Sequence, residues 1–256
     1  MTIGHVAMGQ GPEKVIVLHG WLGDHTVYTP VFQWLDFDTF SFVFMDCRGY
    51  GRSRELAGEY SISEWGKDVI ELADNHGWDT FHVVGHSMGG MTAQWVAAEV
   101  PKRVKSVIAL TPVPATGVPF EGDALDLFSN AWERPDSRAA ILAMTTGDRL
   151  GMLWRDTMLE RSLVQCTPQA FREYFEAWSQ TNFADRLPGL DMPVKIIVGR
   201  HDPAITEEAM RATLLQWFPK AELEIFEDAG HYPMLESPPH LAQSMQEFLR
   251  RAAETW

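Results

Sequence analysis

The sequence predicts an α/β protein in which helices cover both faces of a parallel sheet. Two observations carry this. Over residues 15–110, and again over residues 194–251, short apolar runs alternate with amphipathic helical patterns, as parallel strands joined by helical crossovers do. Between about Val113 and Leu190 the alternation stops, and only helical patterns and prolines remain. That stretch reads as a helical insertion.

Taken in order, residues 3–8 form a first short strand and residues 9–13 a turn. Residues 15–18 are the second strand, running out into His19-Gly20-Trp21-Leu22-Gly23. Residues 40–45 are the third, followed by Asp46-Cys47-Arg48-Gly49-Tyr50-Gly51-Arg52-Ser53. Ser61 or Ser63 caps a helix whose Trp65, Val69 and Leu72 share one face on the way to Gly77. Phe81, Val83 and Val84 belong to the fourth strand, and Met91, Trp95 and Ala98 line the helix after it until Pro101. Residues 104–110 are the fifth strand. Inside the insertion, Leu125, Phe128 and Trp132 lie on one apolar face, and Ile141 and Met144 on another. Thr167-Pro168 opens a helix burying Phe171, Tyr174, Phe175 and Trp178 at i, i+3, i+4 and i+7 spacing. Strands over residues 194–198 and 223–226, a helix over 206–218 and a terminal helix over about 239–251 complete the chain.

A chain of 256 residues, 45% apolar and 22% charged, can bury one large core or a core with an inserted subdomain. Its 35 acidic and 21 basic side chains leave a net charge of −14. Nucleic acid would be repelled, and no basic run overrides the repulsion. No apolar run is long enough to span a bilayer, and the first residues lack the features of a signal peptide, so a cytoplasmic location is expected. Cys47 and Cys166 have no metal-like spacing and read as reduced structural thiols.

Gly85-His86-Ser87-Met88-Gly89 falls at a strand-to-helix junction. A serine on a sharp turn there projects its hydroxyl clear of the backbone, and only residues without a β-carbon fit two positions to either side. The helix that follows aims free N–H groups and a positive dipole end at the same spot. Ser87 is therefore the candidate nucleophile, against the plainer reading of a glycine-rich turn. A nucleophilic serine also needs a base, a group to orient that base, and donors for an oxyanion. Loops leaving the carboxyl ends of parallel strands are where these collect.

His231, in Asp228-Ala229-Gly230-His231-Tyr232-Pro233, follows the last strand and is the candidate base. Of the other histidines, His86 reads as packing into the sheet and His19 as part of a backbone loop. His5, His76, His82 and His240 read as surface residues of strands or helices. His25 and His201 lie near site loops, and His25 stands as a possible pocket residue. Asp202, in Gly199-Arg200-His201-Asp202-Pro203, is the candidate orienting acid. An aspartate before proline is by itself a turn former. However, the strand ending at Leu110 runs into Thr111-Pro112-Val113-Pro114, which offers no competing acid. The backbone N–H groups of Met88 and Trp21 are the candidate oxyanion donors.

His19-Gly20-Trp21, Asp46 to Ser53, Gly85-His86-Ser87-Met88-Gly89-Gly90, Gly199 to Pro203 and Gly230-His231 together resemble the α/β-hydrolase superfamily. The likeness is to its small, esterase-like serine hydrolases with a helical cap, and runs from about Val15 to the C-terminus. It implies a mostly parallel sheet of seven or eight strands flanked by helices. It also implies a core over residues 1–112 and 189–256, with a cap over 113–188 folded across the catalytic loops. The order Ser87, Asp202, His231 is that of the family's triad, and the charges of residues 46–53 belong to the fold.

The resemblance implies cleavage of a carboxylic ester, thioester or lactone with no metal or organic cofactor. Epoxide and haloalkane hydrolases of the superfamily use a carboxylate where this chain has Ser87. Many of its carbon–carbon bond hydrolases carry tryptophan directly after the base, where this chain has Tyr232. Hydroxynitrile lyases, cofactor-free dioxygenases and ligand receptors with a retained triad reuse the scaffold, and fold does not choose among them. The expected partner is a small molecule; no nucleic acid or membrane is expected, and the oligomeric state is open. Trp21, His25 and Tyr232 are candidate substrate contacts. Phe128, Trp132, Met144, Met152, Trp154, Met158 and the residue 171–178 face divide between cap packing and cleft wall. Such walls suit an apolar or aromatic group; Arg155 and Arg161 would instead meet an anionic one.

Overall fold

A computed structural model describes residues 2–256. Its strands are β1 (His5–Met8), β2 (Glu13–Leu18), β3 (Phe40–Met45), β4 (Phe81–His86), β5 (Val104–Leu110), β6 (Val194–Gly199) and β7 (Ala221–Phe226). They form one seven-stranded sheet in the order β1-β3-β2-β4-β5-β6-β7. β1 runs antiparallel to β3, and every other pairing is parallel. β3, β4, β5 and β6 are buried along their whole length, which is why they read as unbroken apolar runs. β2 and β7 begin two residues before the apolar runs that mark them. Residues outside those runs extend both strands: Glu13 and Lys14 pair with Phe40 and Ser41, and Ala221 and Glu222 pair with Val194 and Lys195.

The helices are α1 (Thr29–Phe32), α2 (Ile62–Asn75), α3 (Met88–Glu99), α4 (Gly122–Ser129), α5 (Pro135–Thr145) and α6 (Met152–Gln165). After them come α7 (Pro168–Gln180), α8 (Glu207–Ala212), α9 (Leu214–Trp217), α10 (Pro233–Glu236) and α11 (Pro238–Glu254). α2 packs on α3, while α11 packs on α1, α10 and β5. Ser61 is the N-cap of α2, accepting the Glu64 N–H at 3.0 Å. The single helix expected over residues 206–218 is broken at Thr213, whose ψ of −95° lies outside the helical range. α1 and α10 are too short to leave a periodic signal. No helix among the described residues is long and apolar enough to cross a membrane. Cys47 and Cys166 are free and buried.

Between β5 and β6 the chain forms α4 to α7 and no strand. α7 buries Phe171, Tyr174, Phe175 and Trp178, the face that its spacing predicts. Leu125 departs from the expected apolar face of α4. It is exposed, Trp132 lies beyond the helix and half-buried, and only Phe128 turns inward. The guanidinium of Arg138, on α5, is buried 3.7 Å over the Phe171 ring. It donates to the carbonyls of Ala131 and Ser162, tying three of these helices together.

Candidate active site

Ser87 occupies the junction of β4 and α3 with φ +53° and ψ −116°. A non-glycine residue takes up such a backbone only when its surroundings enforce it. The surroundings do so here. A β-carbon on Gly85 would lie 2.1 Å from the Gly89 carbonyl oxygen, and one on Gly89 would lie 2.4 Å from that of His19. The Ser87 N–H donates to the Leu110 carbonyl at 2.9 Å, and its own carbonyl accepts from Val113 at 3.1 Å, which anchors the turn to the exit of β5. Met88 is the first residue of α3, so its N–H has no acceptor within the helix. Among the described residues, no protein group accepts from the N–H of Met88 or of Trp21.

Asp202 and His231 leave the ends of β6 and β7 and meet, with His231 Nδ1 2.5 Å from Asp202 Oδ2. The Asp202 side chain is fully buried, and its Oδ1 accepts from Ala204 and Ile205 at 2.9 and 3.1 Å. That arrangement assigns the Nδ1 proton to the bond with Asp202 and leaves Nε2 as the nitrogen able to take a proton. Ser87 and His231 line the same cavity, of about 160 Å³. Its remaining wall is almost wholly apolar, with Trp21, Phe120, Phe128, Ile141 and Trp178 prominent. Phe128, Ile141 and Trp178 come from the α4–α7 stretch, which therefore closes over Ser87.

His86 does not pack into the sheet as the sequence suggests. It is the last residue of β4, at the rim, so its side chain leaves the sheet beside the site. Its Nε2 lies 2.7 Å from the His231 carbonyl oxygen, and its ring is 4.9 Å from that of His231. An acceptor there requires Nε2 to carry the proton, and burial holds the imidazole well below its ordinary pKa, in the neutral form.

His25 is not a pocket residue. Its N–H and Nδ1 lie 2.7 and 2.8 Å from Asp46 oxygens, and it is absent from the cavity wall. Burial of the ring opposes its protonation, but the Asp46 carboxylate outweighs burial and raises the His25 pKa. Asp24, His25 and Asp46 bring ligand atoms within 4.8 Å of one another, the spacing of a metal site. Their oxygens already accept bonds from His25, Arg52, Thr26 and Gln165, so the group forms a self-satisfied structural knot. Arg48 pairs with Asp68, again a structural role for the residue 46–53 segment.

Trp21 and Tyr232 line the cavity. The Trp21 indole donates to the Phe171 carbonyl at 2.7 Å and stacks on the Phe171 ring at 4.1 Å, which binds its loop to α7. Arg155 pairs with Asp156, and neither Arg155 nor Arg161 reaches the cavity. Met152 is exposed to solvent and Met158 is buried away from the cavity. Sequence reasoning missed Thr111 and Thr145. The Thr111 hydroxyl donates to the His231 carbonyl at 3.0 Å, and the Thr145 carbonyl accepts the His231 N–H at 2.9 Å. No local pattern marks either, because both act on a residue far away in the chain.

A mostly parallel sheet with a strained serine at the β4-to-α3 turn, and an Asp–His pair from the exits of β6 and β7, defines the class of α/β-fold hydrolases. The alpha/beta hydrolase fold family matches over residues 14–238, and the chain belongs to it. Along 98% of its length it is 24% identical to 3-oxoadipate enol-lactonase 2 of Acinetobacter baylyi, covering 94% of that protein. It is 29% identical to 2-hydroxymuconate semialdehyde hydrolase of Pseudomonas putida, over 81% of this chain and 76% of the relative. An esterase structure from Exiguobacterium antarcticum superposes with a TM-score of 0.86 at 18% identity, over 97% of this chain and 95% of the other.

Proposed function

We propose that this hydrolase cleaves an uncharged carboxylic ester, thioester or lactone through an acyl-enzyme intermediate on Ser87. The observation that carries the reading is the buried Asp202–His231 bond beside a strained Ser87 on one apolar cavity. His231 Nε2 takes the hydroxyl proton as Ser87 attacks the carbonyl carbon. Asp202 holds the tautomer and stabilises the imidazolium that forms. The oxyanion is met by the N–H groups of Met88 and Trp21; each such donor is worth about 2.7–4 kcal/mol in the transition state. His231 then protonates the leaving alcohol, thiol or lactone oxygen, and water, activated by the same imidazole, releases the acid.

The cavity wall favours an uncharged substrate. Among the described residues it contains no lysine, arginine or acidic side chain, and a carboxylate brought there would lose hydration without gaining a partner. A space of about 150 Å³ accommodates a benzene ring, so one aromatic or short branched group fits. An oxoadipate-derived lactone, by contrast, carries a free carboxylate. Carbon–carbon bond cleavage is the second reading, supported by likeness to the semialdehyde hydrolase.

The test is a panel of 4-nitrophenyl esters with acetyl, butyryl, benzoyl and hydrogen-adipoyl groups, run beside a simple lactone. Uncharged esters should turn over, and the carboxylate-bearing ester should fall on the order of 10²-fold lower in kcat/KM. Equal or better use of the charged ester would overturn the substrate class, and failure on every ester with cleavage of a vinylogous diketone would favour the second reading.

A further inference from the structure

The loop that carries His231 is set by a carboxylate that the mechanism above leaves unused. Glu236, in α10, has a side chain only 1% exposed. Its Oε2 accepts the N–H of Gly230 at 2.8 Å and its Oε1 that of Tyr232 at 3.0 Å, so one carboxylate spans the residues on both sides of His231. The N–H of His231 itself crosses to Thr145, the last residue of α5. A little farther on, the same segment supplies Arg149. Its Nη1 donates to Glu236 Oε2 at 3.0 Å and its Nη2 to the Asp228 carbonyl at 2.9 Å. A β-carbon on Gly230 would lie 2.8 Å from Thr146 Cα, so the segment seats on the loop with no room for a side chain between them.

Burying a carboxylate is unfavourable unless its charge is met. Among the described residues, Arg149 is the one cationic side chain within ion-pair distance of Glu236. Neither residue lines the cavity. We infer that Glu236 and Arg149 are positioning residues for His231. Arg149, carried by the α4–α7 stretch, neutralises Glu236, and Glu236 in turn holds the imidazole in register with Ser87. Turnover then depends on the docking of residues 145–149 against the base loop. This rests on His231 being the base.

Because the pair acts through another residue, its removal should be felt in kcat and not in KM. Arg149→Ala should lower kcat on the order of tenfold with KM within about twofold, on an acetyl and a benzoyl ester alike. Thermal melting should show the variant fully folded at the assay temperature. Arg149→Lys, which reaches Glu236 but cannot also fork to Asp228, should recover part of the loss. Glu236→Gln should cost more, and adding Arg149→Ala to it should cost little further. If Glu236→Gln does not fold, the two Arg149 variants decide alone. An unchanged kcat in Arg149→Ala, a loss confined to KM, or a loss that tracks the unfolded fraction would overturn the inference. His231→Ala separates the two readings: activity there would remove the base itself, whereas an inactive His231→Ala beside a fully active Arg149→Ala would remove only the positioning role.

Discussion

The turn that carries Ser87 and the loop that carries His231 are built on opposite principles. Ser87 is set by its immediate neighbours, two glycines and a helix start, with two backbone bonds to the exit of β5. The ring and carbonyl of His231 are set from a distance, although nearby Glu236 holds the N–H groups on either side of it. Its ring is held by a residue 29 positions away, and its carbonyl by Thr111 and His86, 120 and 145 positions away. A nucleophile must adopt one strained backbone shape, which local sequence can encode. A base must face a partner on another strand, which only the assembled fold can supply.

The sharpest test of the local side is Ser87→Ala. It should lower kcat on the order of 10⁶-fold while leaving the melting temperature unchanged, since the Ser87 side chain makes no helix-capping bond. Appreciable residual turnover would break the comparison at its first term. On the distant side, Asp202→Asn should cost about 10⁴-fold in kcat, because an amide facing Nδ1 favours the wrong tautomer. A near-normal rate would hand the orienting role to another acid. Glu227 is exposed and bound to Arg200, and Asp228 accepts from Ser237, so neither is placed for it.

The smallest effect concerns stability. His19 and His86 are buried and neutral, and burial lowers both pKa values below the ordinary 6.5. In the unfolded chain they bind protons near pH 6.5 that the folded chain refuses. Stability is therefore retained above that value and falls as pH drops below it. Melting curves should show a steady loss between pH 7 and pH 5. His25, whose pKa Asp46 raises, opposes this loss in part, and a flat melting temperature over that window would contradict a net loss from the buried imidazoles.

The same contrast explains what could be read from the sequence. The apolar runs gave away β3 to β6 because buried parallel strands have no polar face to disguise them. α7 was legible because Phe171, Tyr174, Phe175 and Trp178 keep helical spacing. Gly85, Ser87 and Gly89 revealed the turn because the geometry needs those residues in place. The role of His86 is not legible in the sequence, since nothing in its neighbourhood reveals that its partner is the His231 carbonyl. The sequence suggests a pocket position for His25 because its loop lies near the site. Only coordinates show Asp46 turning the ring away. Glu236 lies four residues after Tyr232, a spacing from which a short helix can reach back to its own first N–H groups, yet α10 itself was too brief to announce.

The most direct measurement of the central claim is acid-quenched mass spectrometry of the enzyme mixed rapidly with 4-nitrophenyl benzoate. The expected result is a burst of nitrophenolate approaching one per chain, with the benzoyl mass on the peptide containing Ser87 and absent from the Ser87→Ala protein. Steady turnover with no acylated peptide, or a benzoyl group on any other residue, would contradict the account.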